Sequence, residues 1–221
     1  MVVLFLFVGL QSVEAQTQLD DVNREKIEYK TVLSFLDRLK ADGVETFEDI
    51  RPTLIPDSST VGFHVIDREY LIKDKVSDVW NHYANCDLQE SWNNGGVHMA
   101  LAYSRNKDSL YYATDTVENL NPGLIVFFDL KLLLGLKNIA MAFEITKVDP
   151  IEKLIEYSYI VGNGTIGKQQ MFFEETPKGY TLITHLSYYK SKPKTREGIY
   201  PHLHAQLINR FHRRMRTLYN Q

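Results

Sequence analysis

The chain has 221 residues, a formal net charge of −3 and 44% apolar residues. This is the composition of a globular protein with length for one domain and an appendage. The near-neutral balance gives no general case for nucleic-acid binding. The single cysteine, Cys86, excludes an internal disulfide, so the core has to hold without covalent staples, and the thiol reads as a small buried filler rather than a nucleophile.

The N-terminus opens on an apolar run from Val2 to Leu10, followed by Val13-Glu14-Ala15. The run is too short to cross a bilayer as a helix, and small residues occupy the positions a signal peptidase reads. Residues 1–15 are therefore expected to be a secretory signal cleaved after Ala15, giving a secreted or periplasmic protein, although no Lys or Arg precedes the run. Residues 16–59 then form an N-terminal helical extension and linker. Leu19, Val22, Tyr29, Val32, Leu33, Leu36 and Leu39 follow a helical rhythm over 18–42, with Gly43 as the stop. From Asp20 to Asp49 the segment carries nine acidic and five basic residues. "RPTLIPDSS" reads as the connector.

From residue 60 the pattern changes. "GFHVIDREYLIK" is a strand candidate, and Val76, Val79, Trp80 and Tyr83 share one face of a short helix. "DLQESWNNGG" adds a turn before an Asn-Gly-Gly break. Short β-prone runs follow at 97–105, 109–116, 138–149, 153–162, 168–176 and 180–190, separated by turn residues, as in an antiparallel meander. "PGLIVFFDLKLLLGLK" (122–137) reads as a strand followed by a greasy helical turn inserted into that meander. The chain closes on a long helix with Leu203, Leu207, Ile208, Phe211, Met215 and Leu218 on one face and four arginines after Gly198.

Gly162, Gly164 and Gly167 spell G-x-G-x-x-G, the letters of a dinucleotide loop. That loop needs a helix after the glycines to hold a pyrophosphate. Here "KQQMFFEET" follows, which alternates like a strand, and no acid lies about twenty residues on. The glycines are expected to shape a β-hairpin connection instead. Asn163-Gly164-Thr165 also matches a glycosylation acceptor.

The order of strand, short helix, antiparallel strands and long C-terminal helix resembles the START-like (SRPBCC, helix-grip) superfamily of birch-type pollen allergens, polyketide cyclases and lipid-transfer domains. The resemblance covers about residues 60–221 and is carried by "REYLIKDKVSDVWNHY", "AFEITKVDPIEKLIEYSYI" and "GYTLITHLSYYKS". It implies an α+β fold, a curved antiparallel sheet closed around the C-terminal helix. It further implies a cavity for a sterol, phospholipid, fatty acid or polyketide. The N-terminal helix and the 122–137 segment depart from the family pattern and bear on the shape of the cavity mouth.

Side-chain alternation nominates the residues that would line such a cavity. Met141 and Phe143, Tyr157 and Tyr159, and Met171 and Phe173 fall on the odd positions of three strands. The last strand is assigned the same parity, placing His185 and Tyr189 inward. His204, Leu207 and Phe211 come from the closing helix. The bland alternative for the Met and aromatic residues is a packed core, and for His185 a satisfied core histidine. His202 and His204 point about 200° apart, so they do not chelate one metal; no metal or other cofactor is expected. No hydrolase or P-loop signature occurs. The expected function is non-covalent binding of a hydrophobic small molecule or lipid. The arginine-rich helix reads as a solvated face or a partner of the acidic N-terminal segment, with peripheral contact to an anionic membrane or acidic partner as the alternative. The alternatives are a cyclase or hydrolase using the same pocket, and an interaction domain with a filled core.

Overall fold

A computed structural model describes residues 16–93, 96–117, 119–132, 137–191 and 200–220. The expected signal segment lies outside the described residues. Eight strands form one antiparallel sheet: β1 (His64–Ile72), β2 (Val97–Ser104), β3 (Ser109–Tyr112), β4 (Leu124–Leu132), β5 (Lys137–Asp149), β6 (Leu154–Tyr159), β7 (Thr165–Glu175) and β8 (Thr181–Ser191). Their spatial order is β1-β8-β7-β6-β5-β4-β2-β3. Helices α2 (Val76–Asn85), α3 (Leu88–Trp92) and α4 (Tyr200–Tyr219) pack on one face, and α1 (Lys30–Ala41) packs on the other. This is the curved helix-grip architecture with an N-terminal extension.

Alternation sorts the sheet into two cores. On the concave face Val126, Phe128, Phe143, Ile145, Ile155, Met171, Phe173 and Ile183 meet Val79, Trp92, Phe211 and Met215 of α2–α4. On the convex face Leu101, Tyr103, Ile125 and Phe127 meet Leu19, Val32, Phe35, Leu36, Leu39 and Phe47 of the extension. Each fully buried apolar side chain of that second layer contributes about 1.5–3 kcal/mol. Arg105 ties extension to sheet, bonding Glu48 at 2.8 Å and Glu144 at 3.1 Å.

Two elements depart from expectation, the first because of this second core. The segment at 122–137 is no insertion: β4 is a central strand between β2 and β5. It reads as a continuous apolar run because both of its faces are covered, as in a buried strand. The helical turn expected after it falls largely on 133–136, outside the described residues. The expected helix over 18–42 begins only at Lys30, preceded by single turns at Leu19–Asp21 and Arg24–Lys26. There the Asp21 carboxylate accepts from the Gln18 backbone N–H at 2.7 Å and the Asn23 side chain accepts from that of Glu25 at 3.1 Å. Such local bonds compete with the helical ladder.

The connection at 160–164 joins β6 to β7 as the glycine pattern implied. Gly162 has φ +97° and packs against Leu39. The Asn163 side chain accepts from Ala142 N–H at 3.1 Å and donates to Ala142 C=O at 2.7 Å. It thus stands in for a strand where β6 has ended, and a glycan on its nitrogen would disrupt that pairing.

Candidate functional site

A cavity of about 1070 Å³ lies between the concave face and α4. Its origin is a shortfall of pairing. β5 is 13 residues long and β6 only 6, so β6 pairs with β5 from Phe143 onward. Residues 137–142 of β5 bond to β4 on one side. On the other side the sheet parts, and the cavity reaches through to α1. Apolar walls come from Trp92, Leu130, Ile139, Met141, Phe143 and Ile208. A polar strip is formed by Tyr157, Tyr159, Gln169, Tyr200 and His204.

Of the residues nominated from sequence, Met141, Phe143, Tyr157, Tyr159, His204 and Leu207 line this space. Met171, Phe173, His185, Tyr189 and Phe211 do not. Met171 and Phe211 border a separate void of about 20 Å³, and Phe211 stacks on Trp92 with centroids 4.3 Å apart. Phe173 meets Tyr83 edge-on at 5.1 Å. Tyr189 stacks on Tyr200 at 4.2 Å. His185 sits one layer behind the wall, bonded to Gln169.

The buried face of α4 is also turned relative to the expected one. Leu203 and Leu207 are half-buried at the cavity, while His204, Ile208, Phe211, His212 and Met215 are buried. Histidines occupy two of these buried positions because a hydrogen-bonded network receives them.

Its bonds run in one direction. Tyr83 Oη donates to His212 Nδ1 at 3.0 Å, and His212 Nε2 lies 2.9 Å from His185 Nδ1. His185 Nε2 lies 2.9 Å from Gln169 Oε1, and Gln169 Nε2 donates to Tyr159 Oη at 3.0 Å. Tyr159 Oη lies 2.5 Å from Tyr200 Oη. An amide oxygen only accepts, so His185 carries its proton on Nε2. His212 must then donate from Nε2 and accept at Nδ1. Gln169 Oε1 is also approached by Tyr157 Oη at 3.0 Å, Ser187 Oγ at 3.2 Å and His204 Nε2 at 3.0 Å. Four donors thus face one oxygen with two lone pairs.

Burial holds the network neutral. It lowers His204 and His212 to about 3, with Arg68 adding to the effect on His204. Burial, then His212 and His204, hold His185 well below the ordinary histidine value. Burial raises Tyr159 to about 12 and pushes Tyr157 and Tyr200 well up. His204 donates from Nε2 to Gln169, so its Nδ1 is a lone-pair acceptor, and that atom is buried without a partner. Among the described residues no His, Cys, Asp or Glu cluster is arranged to hold a metal ion.

Gln169→Leu is expected to lower stability by about 3 kcal/mol, because several buried donors lose their common acceptor. Thermal unfolding followed by circular dichroism should then show a midpoint roughly 10 °C lower. An unchanged midpoint would mean that the network contributes little to stability.

By strand alternation Gln169 shares the inward face of Met171 and Phe173, but neither it nor Tyr83, Tyr200 or His212 is among the nominated residues. The inward parity of Gln169 among Met171 and Phe173 was the available signal. A polar residue inside an apolar face requires partners. Tyr157, Tyr159, His185 and His204 are already nominated as inward; what the sequence does not show is that they converge on Gln169 from β6, β8 and α4.

No family model matches the chain, and no curated protein does. Solved structures give its architecture. The ginseng major latex-like protein 151 from Panax ginseng superposes with a TM-score of 0.53 at 10% identity, over 72% of this chain and 99% of that one. Norcoclaurine synthase from Thalictrum flavum, in complex with dopamine and hydroxybenzaldehyde, superposes with a TM-score of 0.52 at 16% identity, over 75% and 94%. The chain has the START-like helix-grip fold.

Proposed function

We propose that the protein is exported and carries a hydrophobic small molecule or lipid in the cavity. The observation that carries this reading is the cavity itself, about 1070 Å³ walled by Trp92, Leu130, Ile139, Met141, Phe143 and Ile208 with one polar strip. Burying about 300 Å² of apolar ligand surface would add a gross 7 kcal/mol or so, before the cost of lost freedom. The Thalictrum synthase structure, which holds dopamine and hydroxybenzaldehyde, supports the use of such a fold for holding small organic molecules.

A second reading has its own observation. The relay from Tyr83 to Gln169 is a buried cluster of the type acid–base catalysis uses. Its groups are held neutral, however, far from the near-neutral pKa values that favour proton transfer at working pH. Binding is therefore the leading reading.

The test is native mass spectrometry of the exported protein before and after organic extraction. A removable, largely apolar adduct is expected, together with an N-terminus at Gln16. Met141→Trp, which fills part of the cavity, should weaken rebinding of that compound about tenfold. Turnover of the extracted compound would favour the second reading. Absence of any adduct, with no rebinding from the extract, would overturn the first.

A further inference from the structure

The N-terminal extension is acidic as a sequence, yet it presents only positive charge to the cavity. Lys30, Arg38 and Lys137 are the charged side chains lining the space among the described residues, and no carboxylate joins them. Lys30, Ser34 and Arg38 are spaced i, i+4, i+8 on α1, so they form one stripe along the opening. Lys137 faces it from the start of β5.

The helix sorts its charges. Asp37 turns to Arg24 at 2.9 Å, and Lys40 turns to Asp20 at 2.5 Å, both outside the cavity. Arg38 donates to the Ser34 carbonyl and lies 5.2 Å over the Phe35 ring, with neither partner an anion. Asp129, buried behind Thr31 and Asn138 of the lining, has its oxygens bonded to them at 2.5 Å and 3.0 Å. Three cations therefore converge on the mouth of an apolar chamber without carboxylate partners there.

We propose that the ligand is a single-chain amphiphile with an anionic head, a carboxylate or phosphate monoester, and that α1 supplies the head-group site. This rests on the cavity reading above and adds the chemistry of the ligand's outer end. The chain would lie against Trp92, Leu130, Met141 and Phe143, and the head would remain at the rim between Lys30, Arg38 and Lys137. Exposed ion pairs are individually weak, so three together give roughly a tenfold preference for the anion over a neutral head.

The test titrates the full chain, extracted free of lipid, with dodecanoic acid, dodecyl phosphate and dodecanol, read by the fluorescence of Trp92 in the cavity wall. A Trp92→Phe control subtracts Trp80. At low salt one or both anions should bind about tenfold tighter than the alcohol, and the gap should close as salt rises. The combined variant Lys30→Gln/Arg38→Gln/Lys137→Gln should bring anion affinity down to that of the alcohol and leave the alcohol unchanged. The stronger of the two anions identifies the head. Equal binding of all three probes, insensitive to the variant, overturns this inference and leaves the cavity reading intact. Binding of none of them by wild-type protein overturns both.

Discussion

Between pH 6.5 and pH 5 the protein is expected to lose about 4 kcal/mol of unfolding free energy, because its buried histidines refuse protons that the unfolded chain accepts. His204 and His212 are lowered to about 3, whereas an unfolded histidine titrates near 6.5. Within that window the unfolded state binds more protons than the native one, so stability rises with pH and falls as pH drops. Each such histidine contributes about 1.4 kcal/mol per pH unit below 6.5, until the folded value is reached. His185, shifted in the same direction, steepens the fall. Asp37, Asp49, Asp108 and Asp149 are lowered too. Their contribution is lost only as pH falls through the ordinary carboxylate range and below, so measurements above pH 5 isolate the histidines. Urea unfolding at half-unit intervals reads the slope, and a midpoint flat from pH 7 to 5 would contradict the neutral network. A total stability of about 5–15 kcal/mol puts acid unfolding not far below pH 5.

Gly167→Ala is expected to abolish folding. The residue sits within β7 at φ +154°, and a Cβ there would lie 1.9 Å from the Tyr188 carbonyl oxygen of the neighbouring strand. That oxygen belongs to the paired backbone of β8, so relief requires pulling two central strands apart. The same site anchors the linker: Gly167 N–H donates to Thr53 Oγ1 at 3.1 Å, and Gly167 C=O accepts from Ser158 Oγ at 3.1 Å. The cost should exceed about 4 kcal/mol, the range reserved for severe clashes. Gly43→Ala is the control. It also has positive φ, but nothing lies within 4 Å of its added Cβ, so about 1 kcal/mol is expected. Soluble yield and thermal unfolding of the two variants compare them directly. Equal behaviour would show that the β7–β8 contact yields.

Where local rhythm decided the structure, the sequence was readable. Alternation at Ile155, Tyr157 and Tyr159 and the turn glycines around Asn163 placed the strands and their hairpin. Where a second surface decided it, reading failed. The run from Leu124 to Leu132 resembles an insertion until Phe127 is seen to meet Phe35 at 5.9 Å. Helix α4 looked like a leucine face, yet His204 and His212 take buried positions because Gln169 and His185 are there to meet them. Local rhythm likewise carries no signal that Lys30, Arg38 and Lys137 share one space. They gather because β6 stops at Tyr159 and lets α1 approach the opening.

The two-sided burial of the sheet bears on where this molecule can be cut. Composition places a boundary near residue 60, and the helix-grip core lies beyond it. A fragment beginning there would bare Leu101, Tyr103, Ile125 and Phe127, each at most 1% exposed in the whole chain, and would strip Arg105 of Glu48. A contiguous patch of that kind drives self-association. The extension is thus an obligate part of one cooperative folding unit, and the boundary legible in the sequence is not a point of folding autonomy.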